Sequence, residues 1–273
     1  MLLENRVAVI TGSAKGMGKA MALRFAHEGC DIVVADIDWD GAQKVAEEVK
    51  SSGRKAIAIK TDLYSSKDIK SLIDESIKTF GKIDILANNA GAAGGGDLEH
   101  SDEEEWDKVL SLNLKGAFLA CKAAVPHMKK QKYGKIINVS SMGAVRPSIS
   151  VLAYHAAKAG ILGLTINLAF ELAPFNIYVN CIVPGPIETP FWDPLSKGMS
   201  PEQKKAFFAA LAKKEVPLGR MGTPEDIAGP ALFFASELSS YVTGHIMCVA
   251  GGQPGLTIDS TFISSDETKE YKK

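Results

Sequence analysis

The chain has 273 residues, of which 46% are hydrophobic and 23% charged, with a formal net charge of −1. That composition is ordinary for a globular protein with a well-buried core. No basic surplus is present to hold nucleic acid or an anionic membrane surface, so neither is expected as a partner.

The length suits one large α/β domain or two small ones. The first residues, MLLENRVAVITG, carry Glu4 and Arg6 where a signal peptide would be apolar, and they run straight into a strand-like segment. We read no targeting peptide and no apolar run long enough to span a membrane, so the expected compartment is cytoplasmic. Short apolar, β-branched runs follow at 6–10, 31–36, 55–60, 83–88, 135–140, 176–182 and 245–249. Continuous apolar strands of this kind suit a sheet covered on both faces. Between them lie amphipathic helical stretches at 17–29, 40–53, 67–81, 102–130, 153–174 and 224–237, with Gly29 placed as a helix C-cap. The strict alternation predicts an α/β fold: a doubly wound parallel sheet of seven strands with helices on both faces, in a single domain over 1–253.

Two stretches break the rhythm. The segment 184–215 is longer than an ordinary connection and reads as a lid over a substrate loop at about 186–215, helical near 201–214. The segment 254–273 is polar and aperiodic and reads as a surface arm or a disordered C-terminal tail. Cys30, Cys121, Cys181 and Cys248 are far apart, with no C-x-x-C and no histidine cluster at ligand spacing. Reduced, mostly buried thiols and no metal are expected.

The first strand ends in TGSAKGMG, residues 11–18, where a helix begins. Gly12, Gly16 and Gly18 stand where the backbone must turn sharply and approach a phosphate closely. The helix N-terminus adds free N–H groups and a positive dipole end. Asp36 closes the second strand, eighteen residues past Gly18. An acid there accepts from the adenosine ribose hydroxyls and repels a 2′-phosphate, which favours NAD over NADP. Lys15, inside the glycine loop, pulls the other way, being able to reach a 2′-phosphate.

Further along come NNAG at Asn88 to Gly91, Ser141, Tyr154 with Lys158 four residues later, and Pro184–Gly185 followed by Thr189. LGRMGTPEDIA at 218–228 and TGHIMCVAGG at 243–252 complete the series. Together and in this order, over about residues 4–253, the set resembles the short-chain dehydrogenase/reductase family, NAD-preferring type. The resemblance implies a Rossmann-type fold and an NAD-dependent oxidoreductase that interconverts a secondary alcohol and a ketone. It implies Tyr154 as general acid/base. Lys158, one turn along the same helix face, would lower the tyrosine pKa and bind the nicotinamide ribose. The family's serine lies thirteen residues before the tyrosine, which selects Ser141 over Ser140, and neighbours on a strand point to opposite faces. Ser141 would donate to the substrate oxygen. Asn113 would hold a proton-relaying water; a polar residue bonded within a buried helix is the plainer reading, and both can hold.

By the same resemblance the cofactor would lie along Gly12, Ser13, Lys15, Gly16, Met17 and Gly18, then Asp36 and Ile37, Asp62 and Leu63, and Asn89, Ala90 and Gly91. Tyr154, Lys158, Pro184, Gly185, Ile187 and Thr189 would hold its nicotinamide end. Asn88 would support the central sheet. Asp62 reads equally well as a helix N-cap. Met142, Phe191 and Trp192 suggest an apolar substrate body, and Arg146 is either a surface arginine or the partner of an acidic group. His155 points about 100° away from Tyr154 on a helix and is left out of catalysis. Gly94–Gly96 reads as a mobile rim or a plain turn. The substrate would be a small-molecule alcohol or ketone: a hydroxyacyl thioester, a cyclic alcohol or a steroid. A homo-oligomer, tetramer or dimer, would form through the two long helices; a hetero-oligomer with a sister subunit, and a regulatory subunit without turnover, stay open.

Overall fold

The computed structural model describes residues 1–146 and 151–253, and the expectation for the segment 254–273 lies outside them. Seven strands form one parallel sheet: β1 (Val7–Thr11), β2 (Asp31–Asp36), β3 (Ala56–Lys60), β4 (Ile85–Asn88), β5 (Gly134–Val139), β6 (Ile177–Pro184) and β7 (Ile246–Val249). Their order is β3-β2-β1-β4-β5-β6-β7. The helices are α1 (Gly16–His27), α2 (Trp39–Ser51), α3 (Ser66–Phe80), α4 (Glu103–Leu110), α5 (Gly116–Gln131), α6 (Leu152–Leu172), α7 (Pro201–Glu215) and α8 (Pro224–Ala235).

Alternation along each strand sorts the core into two layers. Ala8, Ile10, Ile32, Val34, Ile85 and Ile137 pack with Met21 and Phe25 of α1, Val45 of α2, and Ile227 and Phe234 of α8. Val9, Val33, Leu86, Ile136 and Val179 pack on the other face with Ile69 and Leu72 of α3, Ala124 and Met128 of α5, and Leu172 of α6. Each fully buried Val, Leu or Ile contributes about 1.5–3 kcal/mol relative to exposure, before the entropy of ordering is subtracted. The strand order reverses between β1 and β4, so the loops leaving those strands diverge and open a crevice at the C-terminal edge.

The helical stretch expected over 102–130 is not uniform. Residues Ser111–Lys115 form a π-helical turn between α4 and α5. The physical cause is Asn113, whose Nδ2 donates to the Val109 carbonyl at 3.0 Å and so occupies the acceptor its own N–H would use in an α-helix. The stretches Glu103–Gln131 and Leu152–Phe175 each hold a window apolar enough, by length and composition alone, to cross a membrane, as helices of a protein core also do. One side of each covers the sheet; Phe118 on α5 and Ile166 and Phe170 on α6 are exposed.

The opposite edge of the sheet is tied by charge. Asp84, its side chain 4% exposed, accepts from the Val7 N–H at 2.9 Å, Arg6 at 3.1 Å and Lys82 at 2.9 Å. Removing that carboxylate strands the buried Val7 N–H and takes one partner each from Arg6, which keeps Glu237, and Lys82, which keeps the Asn5 carbonyl. Asp84→Ala is expected to lose about 2–4 kcal/mol of stability, read from urea unfolding, with kcat changed less than about twofold because the catalytic edge is untouched.

Candidate active site

The glycine loop is held by the sheet beneath it. Thr11 Oγ1 accepts from the N–H groups of Asn89 and Ala90 at 3.1 and 3.2 Å, and Asn89 Nδ2 donates back to the carbonyls of Thr11 and Gly12 at 2.9 and 3.0 Å. The loops after β1 and β4 are thereby clamped where the strand order reverses. Gly12 and Gly16 have φ of +63° and +56°, which side chains rarely adopt, and a Cβ on Gly18 would fall on the Gly12 carbonyl. A Cβ on Gly16 would lie 3.3 Å from the Thr189 methyl, so this loop faces the segment leaving β6.

Helix α1 starts at Gly16 with no side-chain cap and no acid in its first turn. By contrast α2, α3, α4, α7 and α8 are capped by Asp38, Ser65, Asp102, Ser200 and Thr223. Its first N–H groups are therefore left for an anion, and the narrow, methyl-free cradle fits the phosphates of a dinucleotide. Ser13, expected at the cofactor, is instead spent on the scaffold: its fully buried hydroxyl donates to the Ile10 carbonyl at 2.7 Å and accepts from the Ala35 N–H at 3.1 Å. Met17 packs sideways against the core.

Asp36 sits at the end of β2 with each oxygen holding one backbone donor, Ala14 N–H at 2.9 Å and Asp38 N–H at 3.0 Å. A carboxylate oxygen has lone pairs to spare, so two ribose hydroxyls fit beside these bonds. Lys15 is exposed, and among the described residues no ion pair joins it to Asp36. Ile37 is 59% exposed beyond Asp36, a free apolar surface for a flat ring. Asp62 accepts from the Tyr64 N–H at 2.9 Å, while Ser65 caps α3, so Asp62 is not that helix's N-cap. Leu63 lies against Gly116, where a Cβ would meet its own at 3.3 Å.

Two of the four expected catalytic groups, Asn113 and Lys158, meet at Gly91. A Cβ there would lie 2.5 Å from Asn113 Oδ1 and 3.0 Å from Lys158 Nζ. Asn113 is buried, its Oδ1 accepting from the Ala92 N–H at 3.2 Å and its Nδ2 donating to the Ala92 carbonyl at 3.0 Å. Lys158 Nζ donates to the Val139 carbonyl at 3.0 Å and lies 5.7 Å from the centre of the Tyr154 ring. Ser140 is not idle: its hydroxyl donates to the Lys158 carbonyl at 2.7 Å and fixes that turn of α6. Ser141 accepts from the Gly143 N–H at 3.1 Å.

The electrostatics differ from the expectation in one respect. Burial raises the Tyr154 pKa above the ordinary phenol value, and the Ser141 hydroxyl draws it back only in part. The Lys158 ammonium is held by the Val139 carbonyl. Burial pulls Lys158 itself down to about 8, which leaves the charged form dominant at neutral pH.

The surrounding walls are legible residue by residue. The Phe191 ring stands 5.8 Å from that of Tyr154. Trp192 instead turns into a small core with Phe208, Ala212 and Met221, and its Nε1 donates to the Ile187 carbonyl at 2.8 Å. Its indole N–H thereby braces Ile187. Ile187 is buried and paired in a short parallel bridge with Gly222; Thr189 Oγ1 donates to the Ile187 carbonyl at 3.4 Å. Gly185, following Pro184 at the end of β6, continues the ladder by donating to the Val249 carbonyl at 3.0 Å. Met142 is buried with Val183 and Ala250. Arg146 pairs with Glu215 at the end of α7, at 3.2 Å, and so ties the loop after β5 to α7. Nothing local in the sequence announces Glu215, which is 69 positions away. Gly94–Gly96 is a buttress rather than a loose rim. Gly95 has φ +87°, a Cβ on it would lie 2.5 Å from that of Ala153, and its N–H donates to Glu105 at 2.9 Å. The His155 ring lies over Gly143, where a Cβ would meet it at 2.7 Å.

Similarity to known proteins agrees with this geometry. A family model described as enoyl-(acyl carrier protein) reductase matches residues 12–253. The (2S)-[(R)-hydroxy(phenyl)methyl]succinyl-CoA dehydrogenase subunit BbsD of Thauera aromatica is 40% identical over 253 residues, 93% of this chain and 98% of that protein. The 3-oxoacyl-[acyl-carrier-protein] reductase FabG of Thermotoga maritima is 40% identical over 252 residues, 92% of this chain and 99% of that protein. The solved structure of a 7α-hydroxysteroid dehydrogenase complexed with NADH and 7-oxo glycochenodeoxycholic acid superposes with a TM-score of 0.84 at 35% identity, covering 92% of this chain and 95% of that one. The chain belongs to the short-chain dehydrogenase/reductase family, oxidoreductases that bind a nicotinamide cofactor and act on hydroxyl or keto groups.

Proposed function

We propose that the chain is an NAD-dependent oxidoreductase that interconverts a secondary alcohol and a ketone, with Tyr154 as general acid/base. The observation that carries this is the convergence of Ser141, Tyr154, Lys158 and Asn113 beside a phosphate-sized cradle. The bound cofactor supplies hydride transfer. In oxidation the Tyr154 phenolate takes the carbinol proton; in reduction the phenol returns it to the ketone oxygen. Ser141 donates to that oxygen and stabilises the charge developing on it. The Lys158 ammonium favours the phenolate and binds ribose hydroxyls. Asn113 has spent both Nδ2 hydrogens, so only the remaining Oδ1 lone pair, on the Gly91 and Lys158 side, is left for a relaying water.

Gly12, Gly16 and Gly18 would hold the pyrophosphate, Asp36 the adenosine ribose, Asp62 the adenine, and Ile187 and Thr189 the carboxamide. Residues 186–215 would act as the lid, latched by Arg146–Glu215, with Phe191 against the substrate. Relatives acting on an acyl-carrier-protein thioester, a CoA thioester and a steroid support a substrate of thioester, cyclic-alcohol or steroid type. The relative described as a subunit favours a second reading, a partner of a sister chain in a hetero-oligomer. Turnover by the purified chain alone separates the two readings, and a panel of secondary alcohols followed by NADH absorbance tests the first. The exposed Ile166 and Phe170, four apart on one face of α6, with Phe118 on α5, support a homo-oligomer, dimer or tetramer.

Four outcomes are expected. Tyr154→Phe lowers kcat by at least about 100-fold while NADH still binds by fluorescence titration. In the wild type, oxidation gains and reduction loses as pH rises on the alkaline side, since burial raises the phenol pKa and oxidation needs the phenolate. Asp36→Ala shifts the NAD-to-NADP ratio of kcat/KM towards NADP by about tenfold or more, and a wild type that already prefers NADP defeats the reading of Asp36 against Lys15. Phe170→Glu yields a smaller assembly by light scattering; an unchanged mass removes α6 from the interface.

A further inference from the structure

The residue that nothing above uses is Gln253. It is 9% exposed, and among the described residues its buried Oε1 has no hydrogen-bond partner. A buried acceptor left unpaired costs about 1–3 kcal/mol, so most such groups in folded proteins are paired. Its position is rigidly set. β7 ends at Val249, and Gly251 and Gly252 turn the chain back with φ of +61° and +91°. The turn is pinned by the Leu218 N–H donating to the Gly251 carbonyl at 3.0 Å and by the Gln253 N–H donating to the Ala250 carbonyl at 3.2 Å. A Cβ on Gly251 would lie 2.5 Å from the Val216 side chain, so the turn has no room to relax.

That turn delivers the Gln253 carboxamide to the catalytic edge. A Cβ on Gly185 would lie 3.0 Å from Gln253 Oε1 and 2.7 Å from Ala250 Cα. β6 and β7 are in register there, Pro184 beside Val249, while β5, which carries Ser141 just past its end, borders β6 on the other side. Ala250 and Val183 form one apolar wall with Met142, next to Ser141. The orphan oxygen therefore lies across β6 from the catalytic serine, two strand spacings or about 10 Å away by strand position.

We infer that Gln253 is a specificity-determining residue whose Oε1 accepts a hydrogen bond from a second donor on the substrate, a hydroxyl or amide N–H remote from the reacting carbinol. This rests on the secondary alcohol/ketone reading above and narrows it. The preferred substrate is then a bifunctional alcohol or ketone, such as a ring carrying a second hydroxyl, rather than a plain hydrocarbon alcohol. A site built to pair a donor discriminates against the analogue that lacks it, because the acceptor stays unpaired.

The test uses the full chain and Gln253→Met, which keeps the length and apolar stem but removes the acceptor. Cyclohexanol and 1,4-cyclohexanediol, with NAD, form the matched pair, alongside the wider alcohol panel. The diol-to-cyclohexanol ratio of kcat/KM is expected to exceed one in the wild type and to fall about tenfold in Q253M, the worth of one hydrogen bond to a buried acceptor. Q253M is also expected to melt at or above the wild-type temperature, because an unpaired buried oxygen has been removed. An unchanged ratio, a lower melting temperature that marks a structural role, or a weakened NADH affinity with the ratio intact each overturns the assignment to substrate. If wild type oxidises no alcohol of the panel, the secondary-alcohol reading fails and takes this inference with it; oxidation of simple alcohols without diol preference defeats Gln253 alone.

Discussion

The site depends on a missing methyl group. At Gly91 the backbone leaving β4 passes so close to Asn113 and Lys158 that any side chain would displace one or both. That approach is possible only because Asn113 lies on a π-helical turn, with its carboxamide satisfied by Ala92 and Val109. A regular helix through residues 111–115 would carry Asn113 to a different angle and break the pairing with Ala92. The local irregularity is thus the condition for bringing α5, α6 and the β4 loop to one point. It is stabilised by hydrogen bonds that replace those it removes.

The same economy of backbone and side chain recurs around the cleft. Thr11 and Asn89 close the gap between the diverging loops of β1 and β4, Ser13 joins the glycine loop to β2, and Ser140 holds the Lys158 turn of α6. Each of these polar side chains satisfies a buried backbone group and sets the position of a neighbour that faces the cleft. Groups facing the ligand keep capacity in reserve: the first turn of α1 is uncapped, and the Asp36 oxygens each hold one donor. Rigid support with unfilled hydrogen-bonding capacity is what a preorganised site requires.

Burial sets the electrostatic poise. Removing Tyr154 and Lys158 from water disfavours the charged form of each, which moves the phenol up and the ammonium down to about 8 and so widens the gap between them. The segment between β6 and α8 contributes through packing instead. Trp192 braces Ile187 from within the α7 core, and Arg146–Glu215 joins the two walls with an ion pair exposed enough to be weak and reversible.

The sequence by itself determined the parallel α/β architecture, because seven apolar runs alternating with amphipathic helices admit few other solutions. It also determined which residue types gather at the strand ends, since glycine spacing, Asp36 and the Tyr154–Lys158 interval are local patterns. Tertiary structure alone decided how those groups are used. The Ser13 hydroxyl, the Trp192 indole N–H and the Ser140 hydroxyl each hold a backbone carbonyl, which no local pattern announces. The partner of Arg146, the approach to Gly91 and the unpaired oxygen of Gln253 arise from segments far apart in the chain. Periodicity and motif spacing report what a residue can do within one or two turns of itself; what faces it across the sheet is settled only when the strands are laid in order.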